Sequence, residues 1–194
     1  LSDWSSDVCS SDLFYGLSSS AISWLTSYLS GRTQEVSFKS KLSATCSITA
    51  GIPQGSILGP LLFSLYINDL PNCLTYCNIE MYADDTLIYY SDKNANLIEN
   101  NLNRDLLNLT NWLHAKKLII NPQKTELMLI GTAQKLRRCN SLDIVLSGQK
   151  IKQVDCHKHL GVIFDSNLNF MEHTNKICKK LNSSISLLAR TRKI

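Results

Sequence analysis

The sequence predicts an α+β domain, antiparallel strands packed by helices, and three observations carry that prediction. Apolar residues recur at three- and four-residue spacings in three separate stretches, the signature of amphipathic helices. Between them lie short alternating runs bounded by turn residues, which read as antiparallel hairpins. With 44% apolar and 19% charged residues in 194, the chain can bury a core.

The elements follow in order. Residues 1–13, LSDWSSDVCSSDL, alternate Ser and Asp and match neither the helical nor the strand period; the string resembles a translated sequencing adapter and is expected to be non-native or disordered. A flexible natural terminus is the other reading. From Ser18 to Ser20, N-cap candidates precede Ile22, Leu25 and Leu29 on one helical face, closed by Gly31. Gln34 to Phe38 and Thr45 to Ala50 read as the strands of a hairpin. The loop Gly51-Ile52-Pro53-Gln54-Gly55-Ser56-Ile57-Leu58-Gly59-Pro60 excludes regular structure and leads into a helix from Leu61 to Leu70, ended by Pro71. That helix is apolar on nearly every face and is expected to be buried.

Ile79 to Tyr90 reads strand, turn, strand, with Asp84 and Asp85 at the tip of a buried hairpin. Ile98, Leu102, Leu106, Leu109 and Leu113 form the stripe of a helix ending near Lys116-Lys117. Leu118 to Ile120 and Glu126 to Ile130 read as strands, Leu142 to Leu146 and Lys150 to Val154 as a hairpin about Ser147-Gly148, and His159 to Phe164 as one more strand. Met171 to Ile194 carries Ile177, Leu181, Ile185 and Leu188 on one stripe, with six Lys or Arg and no acid after Glu172, a basic amphipathic helix. The domain reading is therefore 1–13 non-native, 14–170 one folded domain, and 171–194 the start of another.

Charge narrows the function little. Twenty Lys and Arg against 16 Asp and Glu give +4, which permits a phosphate-rich partner without requiring one. Seven scattered cysteines with no secretory signal read as reduced intracellular thiols, and neither Cys73 with Cys77 nor Cys156 with His157 and His159 has the paired spacing of a structural zinc site. No run reaches the roughly 18 apolar residues that a membrane-spanning helix needs, so a soluble chain is expected.

The chemistry centres on Asp84 and Asp85. Adjacent carboxylates at a tight turn repel, and a divalent cation relieves that repulsion. Transfer of a nucleotide to a growing strand uses two Mg²⁺ roughly 3.5–4 Å apart, one at the attacking 3′-hydroxyl and one at the triphosphate. Hard oxygen ligands on short arms suit that ion. As an isolated dipeptide, Asp-Asp is equally ordinary turn chemistry.

Context separates the two readings. GIPQGSILGPLLFSLYINDLP, MYADDTLIYY, LIINPQKTELMLIG and HLGVIFDSNLNF, led in by YGLSSSAISWLTSYLSGRTQEV, together resemble the reverse transcriptases of non-LTR (LINE-like) retrotransposons from Tyr15 to about His173. The resemblance implies a right-hand polymerase palm with the start of a helical thumb. It implies Asp84 as ligand of a catalytic Mg²⁺, Asp85 in support, and Tyr82 holding the turn beside the primer end. Gln54 and Gly55 would approach the incoming nucleotide and its template base, Lys124 would protonate or steady the leaving pyrophosphate, and Leu160-Gly161 would form the primer grip. The implied partners are an RNA template, a DNA primer and deoxynucleoside triphosphates, with no membrane. An intracellular compartment is expected, with cytoplasm and nucleus both open.

The family pattern breaks upstream. Its first metal-binding aspartate, on a strand before the segment like Tyr15-Gly16-Leu17, has no counterpart, and Asp3, Asp7 and Asp12 lack its apolar flanks. The fingers are likewise missing, so the polypeptide is expected to be an inactive fragment. Two alternatives stay open: a decayed relic that at most binds nucleic acid, and a maturase- or telomerase-like polymerase of the same fold.

Overall fold

The computed structural model describes residues 16–48, 51–52, 55–139 and 141–191. The stretch 1–13, with Asp3, Asp7 and Asp12, lies outside them, as do Tyr15, Gln54, Arg192 and Lys193. Two compact units meet in sequence at Tyr89 and Tyr90. Both mix helices with strands, as an α+β chain should.

The first unit begins with α1 (Ser19–Leu29), whose N-cap is Ser18: its hydroxyl accepts the Ala21 N–H at 3.3 Å. Leu25 and Leu29 are its buried residues, and Gly31, at φ +64°, takes the left-handed conformation that commonly ends a helix. Of the hairpin expected between Gln34 to Phe38 and Thr45 to Ala50, of which Thr49 and Ala50 lie outside the described residues, a two-residue ladder forms, between β1 (Thr33–Gln34) and β4 (Cys46–Ser47). Inside it is a smaller one, β2 (Ser37–Phe38) with β3 (Lys41–Leu42), turning at Lys39 and Ser40 with φ +45° and +62°. The positive φ pair is that of a type I′ turn, formed here without glycine.

Helix α2 (Gly59–Ile67) follows, with Pro60 in its first turn where no intrahelical N–H is needed. It stops before Leu70, and Pro71 sits instead in a 3₁₀ turn (Leu70–Cys73). Only Leu62, Tyr66 and Ile67 of α2 are buried, while Leu61 is 56% exposed. The expectation of all-round burial fails because the described unit covers only one side of the helix. The unit ends with β5 (Asn78–Tyr82) and β6 (Asp85–Tyr89), paired from Asn78 with Tyr89 to Tyr82 with Asp85.

The second unit is built on α3 (Ala95–Ala115), capped by Asn94, whose Oδ1 accepts the Asn96 N–H at 3.0 Å. Its buried stripe, Leu102, Leu106 and Leu109, joins Leu142, Ile144, Leu146 and Ile151 in the core. Leu118 to Ile120 form no strand, and Ile119 is 97% exposed: an apolar run without a pairing edge gains nothing by extending. Strand β7 (Glu126–Leu127) is followed by α4 (Ala133–Arg138), a short helix that periodicity alone did not reveal. Its N-cap, Thr132, was the local signal.

The hairpin of β8 (Val145–Leu146) and β9 (Gln149–Lys150) turns at Ser147 and Gly148, φ +49° and +77°, as the turn residues foretold. The chain then leaves it, and β10 (Lys152–Gln153) pairs parallel with β7. Residues 159–164, expected as one strand, are instead the turn and inner ends of a second hairpin, β11 (Cys156–His159) with β12 (Val162–Asp165). Leu160 and Gly161, φ +45° and +90°, are its two-residue turn. Helix α5 (Met171–Thr191) closes the described chain with no buried residue. Among the described residues all ladders are two-stranded, so the expected antiparallel strands stand as separate pairs, and β7 with β10 is parallel.

Candidate active site

Tyr82, Asp84 and Asp85 come together at the tip of the β5–β6 hairpin. Tyr82 and Asp85 are the last cross-strand pair, leaving Ala83 and Asp84 as a two-residue loop. Both turn types that fit such a loop require positive φ at its first position, and Ala83 adopts φ +53°. An L-residue with a Cβ pays roughly 1–2 kcal/mol for that conformation. The turn that presents the carboxylates is therefore mildly strained.

The hairpin is not buried, contrary to the sequence expectation. Ile79, Met81 and Ile88 are half covered, whereas Tyr82, Asp84 and Asp85 are exposed, Tyr82 at 66%. Solvation, rather than an enclosing pocket, offsets the mutual repulsion of the two acids here. Among the described residues no group of three His, Cys, Asp or Glu side chains is placed to hold a metal ion. The hairpin thus presents two hard oxygen donors of the kind that suits Mg²⁺.

The glycine-rich loop leads into α2 in the same unit. Gly55 sits at φ +79° with open space where a Cβ would stand. Backbone conformation alone thus explains glycine there, and the open space is compatible with close approach of a ligand. Ser56 accepts hydrogen bonds on Oγ from the Leu58 and Gly59 N–H groups, both at 3.2 Å, satisfying donors at the start of α2. The Tyr28 hydroxyl of α1 donates to the same oxygen at 2.5 Å. Arg32 donates from Nε to the Leu29 carbonyl at 2.9 Å and from Nη2 to the Gly51 carbonyl. Sequence reading passed over Tyr28, Arg32 and Ser56. The Ser three positions before Gly59-Pro60 was a legible cap, but its partner lies 28 residues away.

The other expected site residues lie in the second unit. Lys124 is exposed in the turn after Asn121-Pro122, where its N–H donates to the Asn121 carbonyl at 3.1 Å and Asn121 Oδ1 accepts the Gln123 N–H at 3.0 Å. That turn feeds β7, and Glu126 Oε2 lies 2.8 Å from His157 Nδ1 on β11. Strand β11 runs on to Leu160-Gly161, so one polar contact links the strand that follows Lys124 to the strand that leads into the predicted primer grip.

Two side chains of this unit have displaced pKa values. Burial pulls the Asp165 carboxyl upward, but the N–H groups of Asn169, Phe170, Asn167 and Leu168 outweigh it and hold the group below its usual range. Oδ1 accepts from Asn167 and Asn169 at 3.1 Å each and Oδ2 from Phe170 at 2.6 Å, pinning the loop ahead of α5. Desolvation, then the Asp165, Glu172 and Asp155 carboxylates, push the Cys156 thiol up, which disfavours the reactive thiolate.

With this geometry in hand, the comparison with known proteins is decisive. The sequence profile of the family described as reverse transcriptase (RNA-dependent DNA polymerase) matches residues 9–164. The chain belongs to the reverse transcriptase family. Among its relatives are the probable RNA-directed DNA polymerase from transposon X-element of Drosophila melanogaster, 28% identical over 84% of this chain and 18% of that protein. The probable RNA-directed DNA polymerase from transposon BS of the same species is 34% identical over 77% of this chain and 17% of its own length. The RNA-directed DNA polymerase from mobile element jockey, also of D. melanogaster, is 27% identical over 84% of this chain and 18% of that protein. This reverse transcriptase segment is thus homologous to the polymerases of non-LTR retrotransposons and spans less than a fifth of the length of these curated relatives. No solved structure matches it. Among the described residues no helix is long and apolar enough to cross a membrane.

Proposed function

We propose that this segment supplies part of the nucleotidyl-transfer centre of an RNA-directed DNA polymerase, within a right-hand palm whose thumb begins at α5, and that by itself, without the family's first metal-binding aspartate, it is inactive. The observation that carries the proposal is the β5–β6 hairpin: a two-residue turn holding Asp84 and Asp85 in solvent, with Tyr82 beside them. Asp84 would hold a catalytic Mg²⁺, with Asp85 in support beside it. Two such ions, when bound, lower the charge cost of the attacking and departing oxygens.

The chain's own residues do the rest. Gln54 and Gly55 border the incoming deoxynucleoside triphosphate and its RNA template base, and Leu160-Gly161 holds the DNA primer so that its 3′-hydroxyl faces the α-phosphorus. A new bond forms from that oxygen to phosphorus as the bond to pyrophosphate breaks. Lys124, a mobile exposed ammonium, donates a proton to the pyrophosphate oxygen or neutralises it. Lys176, Lys179, Lys180 and Arg190 on α5 contact the duplex phosphates.

Primer extension on an RNA template tests this, using a full-length polymerase that carries the segment and its Asp84→Asn variant. The variant should lose at least about a hundredfold in rate, the scale of removing one charge-stabilising group. Equal extension by both would take Asp84 out of the mechanism.

A further inference from the structure

At the end of the glycine-rich loop that leads into α2, Gly55 stands in open space and Ile57 is 96% exposed, so hydrogen bonds do much to hold that end. Those bonds converge on one end of α1. Arg32 uses two corners of its guanidinium, one on the Leu29 carbonyl that the helix end leaves without an intrahelical donor and one on the Gly51 carbonyl where the loop starts. Tyr28, one turn earlier, donates its phenol proton to Ser56 Oγ at 2.5 Å, and that oxygen already accepts the Leu58 and Gly59 N–H groups. The phenol ring is itself braced, lying 5.7 Å from the Trp24 ring and within 6° of parallel to it.

We infer that Tyr28 and Arg32 are positioning residues that tether the two ends of this loop to α1 and thereby set nucleotide affinity without touching the nucleotide. The inference rests on the reading of the loop as the nucleotide pocket. Its physical basis is population: a loop released at one end spends less time in the binding-competent form, and apparent affinity falls by that fraction while the bond-forming step is unchanged. Ser56 is the relay, so Tyr28 and Ser56 act as one unit. Arg32 acts at the opposite end and adds to them.

The test compares Tyr28→Phe, Ser56→Ala, their double variant and Arg32→Gln in a full-length polymerase carrying this sequence. Each single change should raise the KM for deoxynucleoside triphosphate roughly three- to tenfold, the value of one hydrogen bond. The kcat and the primer–template Kd should stay within about twofold, and the Tyr28→Phe/Ser56→Ala double should be no worse than the poorer single. Ser56→Thr, which keeps the hydroxyl, should restore KM. A fall in kcat at constant KM, or full additivity of the Tyr28 and Ser56 changes, overturns the inference. Gly55→Val separates the two levels: raised KM there but not in Tyr28→Phe or Arg32→Gln rejects the tether alone, whereas KM unmoved in all of them rejects the pocket reading as well. As a second measurement, hydrogen exchange at the Leu58 and Gly59 amides of the 194-residue chain should quicken in Tyr28→Phe by a similar factor. Unchanged exchange overturns the tether.

Discussion

Replacing Ala83 by glycine should tighten the acidic hairpin. Ala83 holds φ +53° at the first position of the two-residue turn between Tyr82 and Asp85. The left-handed conformation costs an L-residue about 1–2 kcal/mol, because Cβ crowds the following carbonyl. Glycine removes that cost but brings about 0.5–1 kcal/mol of extra chain entropy to lose on folding. The difference favours Ala83→Gly by about 0.5–1 kcal/mol, a two- to fivefold slower opening of the hairpin. Hydrogen exchange of the β5 and β6 amides in the intact chain measures it directly, with the amides of α3 as the internal control. Faster exchange in the glycine variant would refute the argument, since it would mean that the turn is not held at positive φ. A stiffer turn built from the less strained residue would also imply that the natural Ala83 keeps some strain beside the two carboxylates.

Further predictions come from the second unit. Asn103→Ala removes a bond donated to the Asp143 carbonyl at 2.8 Å and one accepted from the Val145 N–H at 2.9 Å. Both bonds are exposed, so urea denaturation should show a loss of about 1–2 kcal/mol, and a loss indistinguishable from zero would mean that water replaces the latch. Because the Asp165 carboxyl is held below its ordinary value, its contribution is fully present above the unfolded value near 3.8 and is lost as pH falls through the lower folded value. The Asn169 and Phe170 amides should therefore keep their protection at pH 5 and lose it as acid protonates the carboxyl; equal protection of these amides at pH 5 in Asp165→Asn would contradict this. Neutralising Lys179 and Lys180 together should lower the salt dependence of primer–template binding by about two phosphate contacts. An unchanged slope would place α5 away from the duplex.

How much was legible in the sequence depended on how far apart the interacting residues lie. The turn at Ser147-Gly148 was readable because turn chemistry is decided within four residues, and so was the reversal at Ala83-Asp84, although Asp85 and Thr86, expected within it, pair in β6. Helix α1 was readable from its cap and stripe, and α3 and α5 from their stripes. The Lys39-Ser40 turn was not, since neither residue advertises positive φ, and α4 is too short to show a period. Leu160-Gly161 was noticed for its glycine but placed within one strand, because an apolar run on both sides looks continuous until the ladder folds back on itself.

The family belonged to the sequence alone. Tyr82-Ala83-Asp84-Asp85 and the order of the flanking segments carry it, because a family resemblance lies in residue type and spacing along the chain. Tertiary structure decided what surrounds them. It showed the hairpin tip solvated rather than buried, α2 covered on one side only, and β10 pairing parallel with β7 some 26 positions upstream. It also showed the glycine loop tied to α1 through Tyr28 and Arg32. Each of these depends on contacts between residues far apart in the chain, and local propensity carries no information about which distant surface will be near enough to bury a face or accept a proton.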